Sequence, residues 1–211
     1  AELLTLPALE SPRFRLYLRV LAQLVAQWRA TGEEDGLQEL RNMHTESWWR
    51  VLGVETEHEP RHLLRAVEVE LGDAFRLMRA HWTDVPSSLR QVMSTRGWLW
   101  LNTVFVLNNQ EIVLGNSGTK RYSTIGLFRT HHTMNHACSP SANAVVGPAH
   151  VSGPLAVRVV ALRELLPDEQ VTVDYLEDAP VECASRQGLL AQRWLFHCLC
   201  PQCSLDQPQD L

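Results

Sequence analysis

The chain closes on three cysteines in the stretch "FHCLCPQC" (196–203), spaced Cys198-x-Cys200-x-x-Cys203. Thiolates set this closely are soft anionic ligands, and the chemistry they suit is a structural zinc ion, which takes four ligands in a closed tetrahedron. The fourth must come from elsewhere, and two cysteines remain, Cys138 and Cys183. Cys183 stands by itself in "PVECASR", where a cysteine usually acts as a small hydrophobe. Cys138 lies among groups that bond and turn the chain, in "MNHACSPSAN" (134–143). Clustered thiols, with nothing resembling a signal peptide at the start, point to metal ligands in a reducing, intracellular compartment, nucleus or cytoplasm, and not to a secreted disulfide framework.

The elements that must carry these residues change style along the chain. From Ser11 to about Trp100 the pattern is helical. Ser11-Pro12 is an N-cap followed by proline at the first helical position. Phe14, Leu18, Leu21, Val25 and Trp28 then share a face before Gly32 closes the helix. Leu64, Val67, Leu71, Phe75, Met78 and Trp82 form a second stripe, introduced by Pro60 and ended by "TDVPSS". Shorter helices are expected over 37–51 and 88–96. Such stripes bury a helix against a core and are not cofactor contacts.

After Gly97, "LNTVFVL" (101–107), "EIVLG" (111–115), "LAVRVVALREL" (155–165) and "EQVTVDYL" (169–176) read as strands, being short, rich in β-branched residues and bounded by turn formers. A last helix over 185–194 leads into the cysteines. Helices followed by strands make an α+β fold rather than alternating βαβ units. Three regions result: 1–100 helical, 101–184 mainly β, and 185–211 a helix with the cysteine tail.

Composition narrows the function classes. The chain has 211 residues, 45% of them hydrophobic, which is enough for a sizeable core. No apolar run approaches the roughly 20 residues of a membrane span. A formal net charge of -5 without a basic stripe argues against nucleic acid as the direct partner, and so against a zinc-ribbon nucleic-acid binder.

Three motifs in order resemble the SET-domain protein lysine methyltransferases. "NHACSP" (135–140) is similar to their Asn-His-Ser-Cys-x-Pro, "DEQVTVDY" (168–175) to their Gly-Glu-Glu-Leu-Thr-Ile-x-Tyr strand, and the terminal cysteines to their post-SET Cys-x-Cys-x-x-Cys. "TIGLFRTHHTMNH" (124–136) is similar to the segment before the motif in the SET-and-MYND (SMYD) subfamily. The resemblance implies a β-clip fold in the C-terminal half and one Zn²⁺ on Cys138, Cys198, Cys200 and Cys203, with Cys183 free. Spacing is compatible with that. Cys198 and Cys200, two apart in an extended segment, face the same way, and Pro201 favours a turn that brings Cys203 round.

By the same resemblance the cofactor is S-adenosylmethionine (SAM) and the acceptor a lysine amine on a protein. Asn135 would bond the methionine end of SAM, the His136 backbone would meet the adenine edge, and Phe196 would stack on adenine, held there by the zinc. Tyr175 would turn its hydroxyl toward the transfer centre and orient the amine. Asn102 is a further candidate SAM contact. His131 and His132 have no evident partner and are expected in a solvent-exposed loop.

Residues 1–100 resemble the helical insert that divides the SET domain in this subfamily, and the cysteines are too few for a MYND finger as well. Three features depart from the family pattern. None of the eleven glycines lies two residues from another, so the Gly-x-Gly loop that approaches the SAM carboxylate is missing; "GNSG" (115–118) is a conceivable substitute. The Gly-Glu turn is Asp168-Glu169, and Ser141 stands where an Asn often follows the Cys-x-Pro. Two expectations follow: an active methyltransferase whose first strands lie on another segment, or an inactive, zinc-stabilised SET-fold scaffold within a larger assembly.

Overall fold

Ser11 starts the first helix, α1 (Pro12–Thr31), by accepting the Phe14 N–H on its hydroxyl. Gly32 ends it in the left-handed region (φ 75), where a side chain would be strained, and its N–H returns to the Trp28 carbonyl. A computed structural model describes residues 11–54, 56–114, 122–149, 156–176 and 182–206. The "GNSG" segment lies outside the described residues. The chain divides into two compact units, Ala1–Val106 and Leu107–Leu211.

The first unit contains α1, α2 (Asp35–Asn42), α3 (Trp48–Val51), α4 (Arg61–His81), α5 (Ser87–Val92) and most of α6 (Thr95–Asn108). Its core centres on Phe14, Tyr17 and Phe75, whose ring centroids lie 5.7 to 6.2 Å apart. Leu21, Leu71 and Met78 complete it, while Leu18, Trp28, Leu64, Val67 and Trp82 are only half-buried at the stripe margins. The Tyr17 hydroxyl, deep in that core, donates to the Val92 carbonyl at 2.6 Å, so its burial leaves no unpaired donor.

The helix expected over 37–51 is two helices, because Met43 leaves α2 in an extended conformation and buries its side chain. The helix expected over 88–96 also breaks. Ser94 accepts the Gly97 N–H on its hydroxyl and the Trp98 N–H on its carbonyl, and so opens α6.

"LNTVFVL" is therefore helix and not strand. Apart from Asn102 and Thr103 the run is apolar, and such a run has no clear period to separate a buried helix from a buried strand. Cap and length decide it.

The second unit holds two small sheets and two helices. β1 (Gln110–Leu114) and β2 (Tyr122–Gly126) pair antiparallel, with Gln110 opposite Gly126. A four-stranded sheet runs in the order β3-β6-β4-β5. In it β3 (Asn135–His136) and β4 (Ala144–Pro148) each lie parallel to β6 (Thr172–Val173), and β5 (Val157–Ala161) lies antiparallel to β4.

The architecture is α+β. Only Thr172 and Val173 of "EQVTVDYL" pair as strand. Asp168 adopts φ 64, the left-handed conformation that the family's glycine reaches more easily. Helix α7 (Cys183–Trp194) leads through Leu195, also left-handed at φ 61, to the cysteines and α8 (Pro201–Asp206).

Candidate metal centre and the adjoining site

Cys138, Cys198, Cys200 and Cys203 converge, with all four Sγ atoms within 4.8 Å of one another. The Cys138 and Cys203 sulfurs stand 3.6 Å apart. Sulfurs about 2.3 Å from a tetrahedral zinc would lie roughly 3.8 Å from each other, so small side-chain adjustments complete the shell. Cys138, Cys198 and Cys203 are buried, and Cys200 is half-buried.

The fourth partner is Cys138 and not Cys183, whose sulfur faces the Cys203 carbonyl at 3.9 Å. Pro201 begins a helix instead of a simple turn, and the first turn of α8 carries Cys203 back to the others.

Electrostatics match a cation-binding group. Burial pushes the Cys138 thiol up, reinforced by its bond to Cys203, and burial raises Cys198 to about 11. Burial also raises Cys200, but hydrogen bonds from the backbone of Cys203 and Cys138 outweigh it and bring this thiol to about 7. Four thiols this close resist ionising together unless a cation neutralises them. The donor set fits a single soft or borderline divalent ion.

The tail is held by protein groups as well. The Gln187 amide pairs with Cys198 as a strand would, donating to its carbonyl at 2.7 Å and accepting its N–H at 2.9 Å. Ser141 accepts the Gln202 N–H at 3.1 Å, which ties α8 to the "NHACSP" loop. The substituted position Ser141 thus has a structural use here.

Beside the cysteines lies an aromatic group assembled from three segments. The His136 ring is 5.2 Å from that of Tyr175 and 5.9 Å from that of Phe196, and Trp194 lies 5.3 Å from Tyr175. The His136 side chain is fully buried. Its Nδ1 accepts the Tyr175 N–H at 3.1 Å, which leaves Nε2 to carry the proton toward Cys138 Sγ, 3.2 Å away. Burial lowers the affinity of this imidazole for a second proton, against the opposing pull of Asp174.

The Tyr175 hydroxyl donates to the Met134 carbonyl at 2.6 Å, and burial raises its pKa. Asn135, one residue before the histidine, is exposed. Asn102 lies on α6, where its amide donates to the Trp98 carbonyl at 2.8 Å. His131 is buried, contrary to the solvent-exposed position expected of it, and His132 is half-buried. Burial, followed by the neighbouring His132, holds His131 toward its neutral form.

Sequence reasoning missed three residues that support this site. Asn143 is buried and substitutes for a ladder residue. It accepts the Thr172 N–H at 2.8 Å and donates to the Gln170 carbonyl at 2.9 Å. Asp174 accepts the Ser139 and Leu176 N–H groups, both at 2.9 Å, and so fixes the loop after Cys138. Trp194 was legible only as a helix end. A cavity of about 600 Å³ has Ser139, Pro140, Asp174, Arg186 and Gln202 in its wall and none of Asn135, His136, Tyr175 or Phe196.

Residues 26–176, more than half of the chain, match the SET domain. The chain belongs to the SET-domain family. This SET domain is similar to Histone-lysine N-methyltransferase ASHR1 of Arabidopsis thaliana, 36% identical over 88 residues, or 41% of this chain and 17% of that protein. It is similar to Protein-lysine N-trimethyltransferase SMYD5 of Mus musculus, 31% identical over 80 residues, or 37% of this chain and 18% of the relative. A third relative, SET domain and MYND-type zinc finger protein 6 of Schizosaccharomyces pombe, is 30% identical over 73 residues, or 35% and 14%. The chain thus spans under a fifth of each of these proteins. Among the described residues no helix of this SET domain is long and apolar enough to cross a membrane.

Proposed function

We propose that this chain supplies the methyl-transfer part of a SAM-dependent protein-lysine methyltransferase, with zinc as a structural ion on Cys138, Cys198, Cys200 and Cys203. The observation that carries the reading is the meeting of His136, Tyr175 and Phe196, from distant segments, against a metal-competent cysteine cluster. Bound SAM supplies an electrophilic methyl group. Exposed Asn135 is free to hydrogen-bond its methionine end, and half-buried Phe196 offers a ring face for its adenine. Asn102, with its amide N–H on the Trp98 carbonyl, is given no part.

Tyr175 is held protonated by burial, and its proton is committed to Met134. It therefore does not act as a base. Its oxygen keeps lone pairs free, so it orients a lysine amine by accepting from it while water is excluded. His136 links the two halves of the site by fixing the Tyr175 backbone with one nitrogen and Cys138 with the other. A reducing intracellular setting, nucleus or cytoplasm, would keep the cysteines available to the ion.

The test is transfer of labelled methyl from SAM to protein acceptors, with SAM binding by calorimetry and metal content measured alongside. Tyr175→Phe should keep fold and zinc but lose on the order of 100-fold in rate, as removal of one well-placed polar group does. Asn135→Ala should weaken SAM binding as well as turnover. Zinc should fall away in Cys138→Ser and persist in Cys183→Ser. A native protein that neither binds SAM nor transfers methyl would leave this chain as a zinc-stabilised scaffold of a larger assembly.

A further inference from the structure

One strong charge beside the cysteine cluster has no part in the methyl-transfer reading. Arg186 projects from the first turn of α7 and is buried, its side chain only 6% exposed. Its Nη2 lies 3.8 Å from Cys203 Sγ and 2.6 Å from Asp206 Oδ2. Burying a guanidinium is costly unless its surroundings carry compensating negative charge.

Asp206 offers one negative charge, but from a side chain 30% exposed, where water screens it. The thiolates are far less screened. Four of them on one divalent cation leave two negative charges in excess, gathered where Cys138 and Cys203 are 0% exposed. A dianion at that depth needs hydrogen-bond donors and positive charge around it. Four neutral donors are present: His136 Nε2 at Cys138, the Cys200 N–H at Cys198 Sγ, 3.4 Å away, and the backbone N–H groups of Cys203 and Cys138 at Cys200. Arg186 adds the full positive charge, and Asp206 aims it.

We propose that Arg186 is the counter-charge of the four-cysteine centre, a positioning residue that makes buried thiolate ligation of a divalent ion sustainable. This rests on the zinc reading above. It differs from the plain alternative, in which the Arg186–Asp206 ion pair merely staples α7 to α8. The two ideas part at Asp206. A staple fails equally when either partner is removed, whereas a counter-charge fails only when the arginine goes.

The experiment uses the full chain, with Zn²⁺ affinity measured by competition with a chromophoric chelator and the thiolate-to-metal absorption of the Co²⁺ form recorded in parallel. Arg186→Met should weaken zinc binding about 10- to 100-fold, the range typical of lost outer-sphere partners, and shift the Co²⁺ charge-transfer band to longer wavelength. Asp206→Asn should hold zinc as well as the wild type or better. Arg186→Lys keeps the charge without the fork and should lose less than about tenfold.

Equal losses in Arg186→Met and Asp206→Asn, or none in Arg186→Met, overturn the proposal while leaving the zinc reading intact. Should Arg186→Met not fold, the Lys and Asn variants decide it, since a staple predicts that Asp206→Asn, which removes the ion pair, loses more zinc than Arg186→Lys, which can keep it. A wild-type chain without four-thiolate Co²⁺ bands overturns the zinc reading and this proposal together.

Discussion

Glu169 shows how much one side chain can gather in this fold. Its carboxylate accepts from the Arg163 guanidinium on both oxygens, from the Leu166 N–H at 3.0 Å and from the Asn143 amide at 3.2 Å. The Arg163 bonds first, then the Leu166 N–H, hold its pKa down to about 2. A folded pKa below the unfolded value stabilises the fold above the unfolded pKa, and that contribution is lost as pH falls toward the folded one. Wild type and Glu169→Gln should therefore differ in thermal midpoint at pH 7, and the gap should close between pH 4.5 and about 2. A gap independent of pH over that window would mean that charge is not what the carboxylate contributes. The sequence marks this place through Asp168, which stands where the family has glycine and adopts φ 64. It does not reveal the partners, because Asn143 lies far upstream and nothing in its neighbourhood foretells a buried amide substituting for a strand.

At the scale of elements, the helices with chemical punctuation were legible and the unpunctuated ones were not. Ser11, Pro12 and Gly32 delimit α1 as their side-chain chemistry demands, and Pro60 precedes α4 as expected. α6 reads as a strand because Trp98 to Leu107 is apolar apart from Asn102 and Thr103, and its cap, Ser94, reads as part of the preceding helix. Gly97 records the tight entry. A Cβ there would lie 2.1 Å from the Val92 carbonyl oxygen and 2.5 Å from the Val92 Cα, and both are backbone atoms that cannot swing away. Elsewhere in a helix, Gly→Ala is stabilising. Here Gly97→Ala should instead cost roughly 1–3 kcal/mol through overpacking at the α5–α6 corner. Urea unfolding followed by circular dichroism reads this directly, and a variant as stable as the wild type would show that the corner can open at no cost. The candidate site was more legible than the sheet around it. Cys138, Cys198, Cys200 and Cys203 were recoverable as a group through motif order, whereas the two-residue strands β3 and β6 are too short to carry a period.

For the whole molecule, the two units differ in what holds them. The first has an extensive apolar core of aromatic and aliphatic side chains on α1, α4, α5 and α6. In the second, the cluster under the sheet is Met134, Ala144 and Val173, and the cluster under α7 includes three of the four metal-competent cysteines beside Leu176 and Leu190. Among the described residues that core is small, of the kind a metal commonly completes, and structural zinc contributes about 10–16 kcal/mol in small zinc-folded peptides. Removing the ion should therefore act unevenly along the chain. Hydrogen exchange with and without a strong chelator should show the amides of residues 198–200 and 202–204, with those of Ala137, Ser141 and Ala142, exchanging at least about tenfold faster once stripped, as local opening replaces a fixed loop. The N–H groups of these loop residues bond to Val173 and Cys138 carbonyls, so their protection reports directly on the cysteine cluster. Amides in α1 and α4, which lie in the other unit, should keep their wild-type protection. Readdition of Zn²⁺ should restore the fast set in proportion to metal bound. Uniform loss of protection across both units would show that the two cores stand or fall together, and unchanged exchange at Cys198 to Ser204 would show that hydrogen bonds from Gln187 and Ser141 hold the tail without an ion.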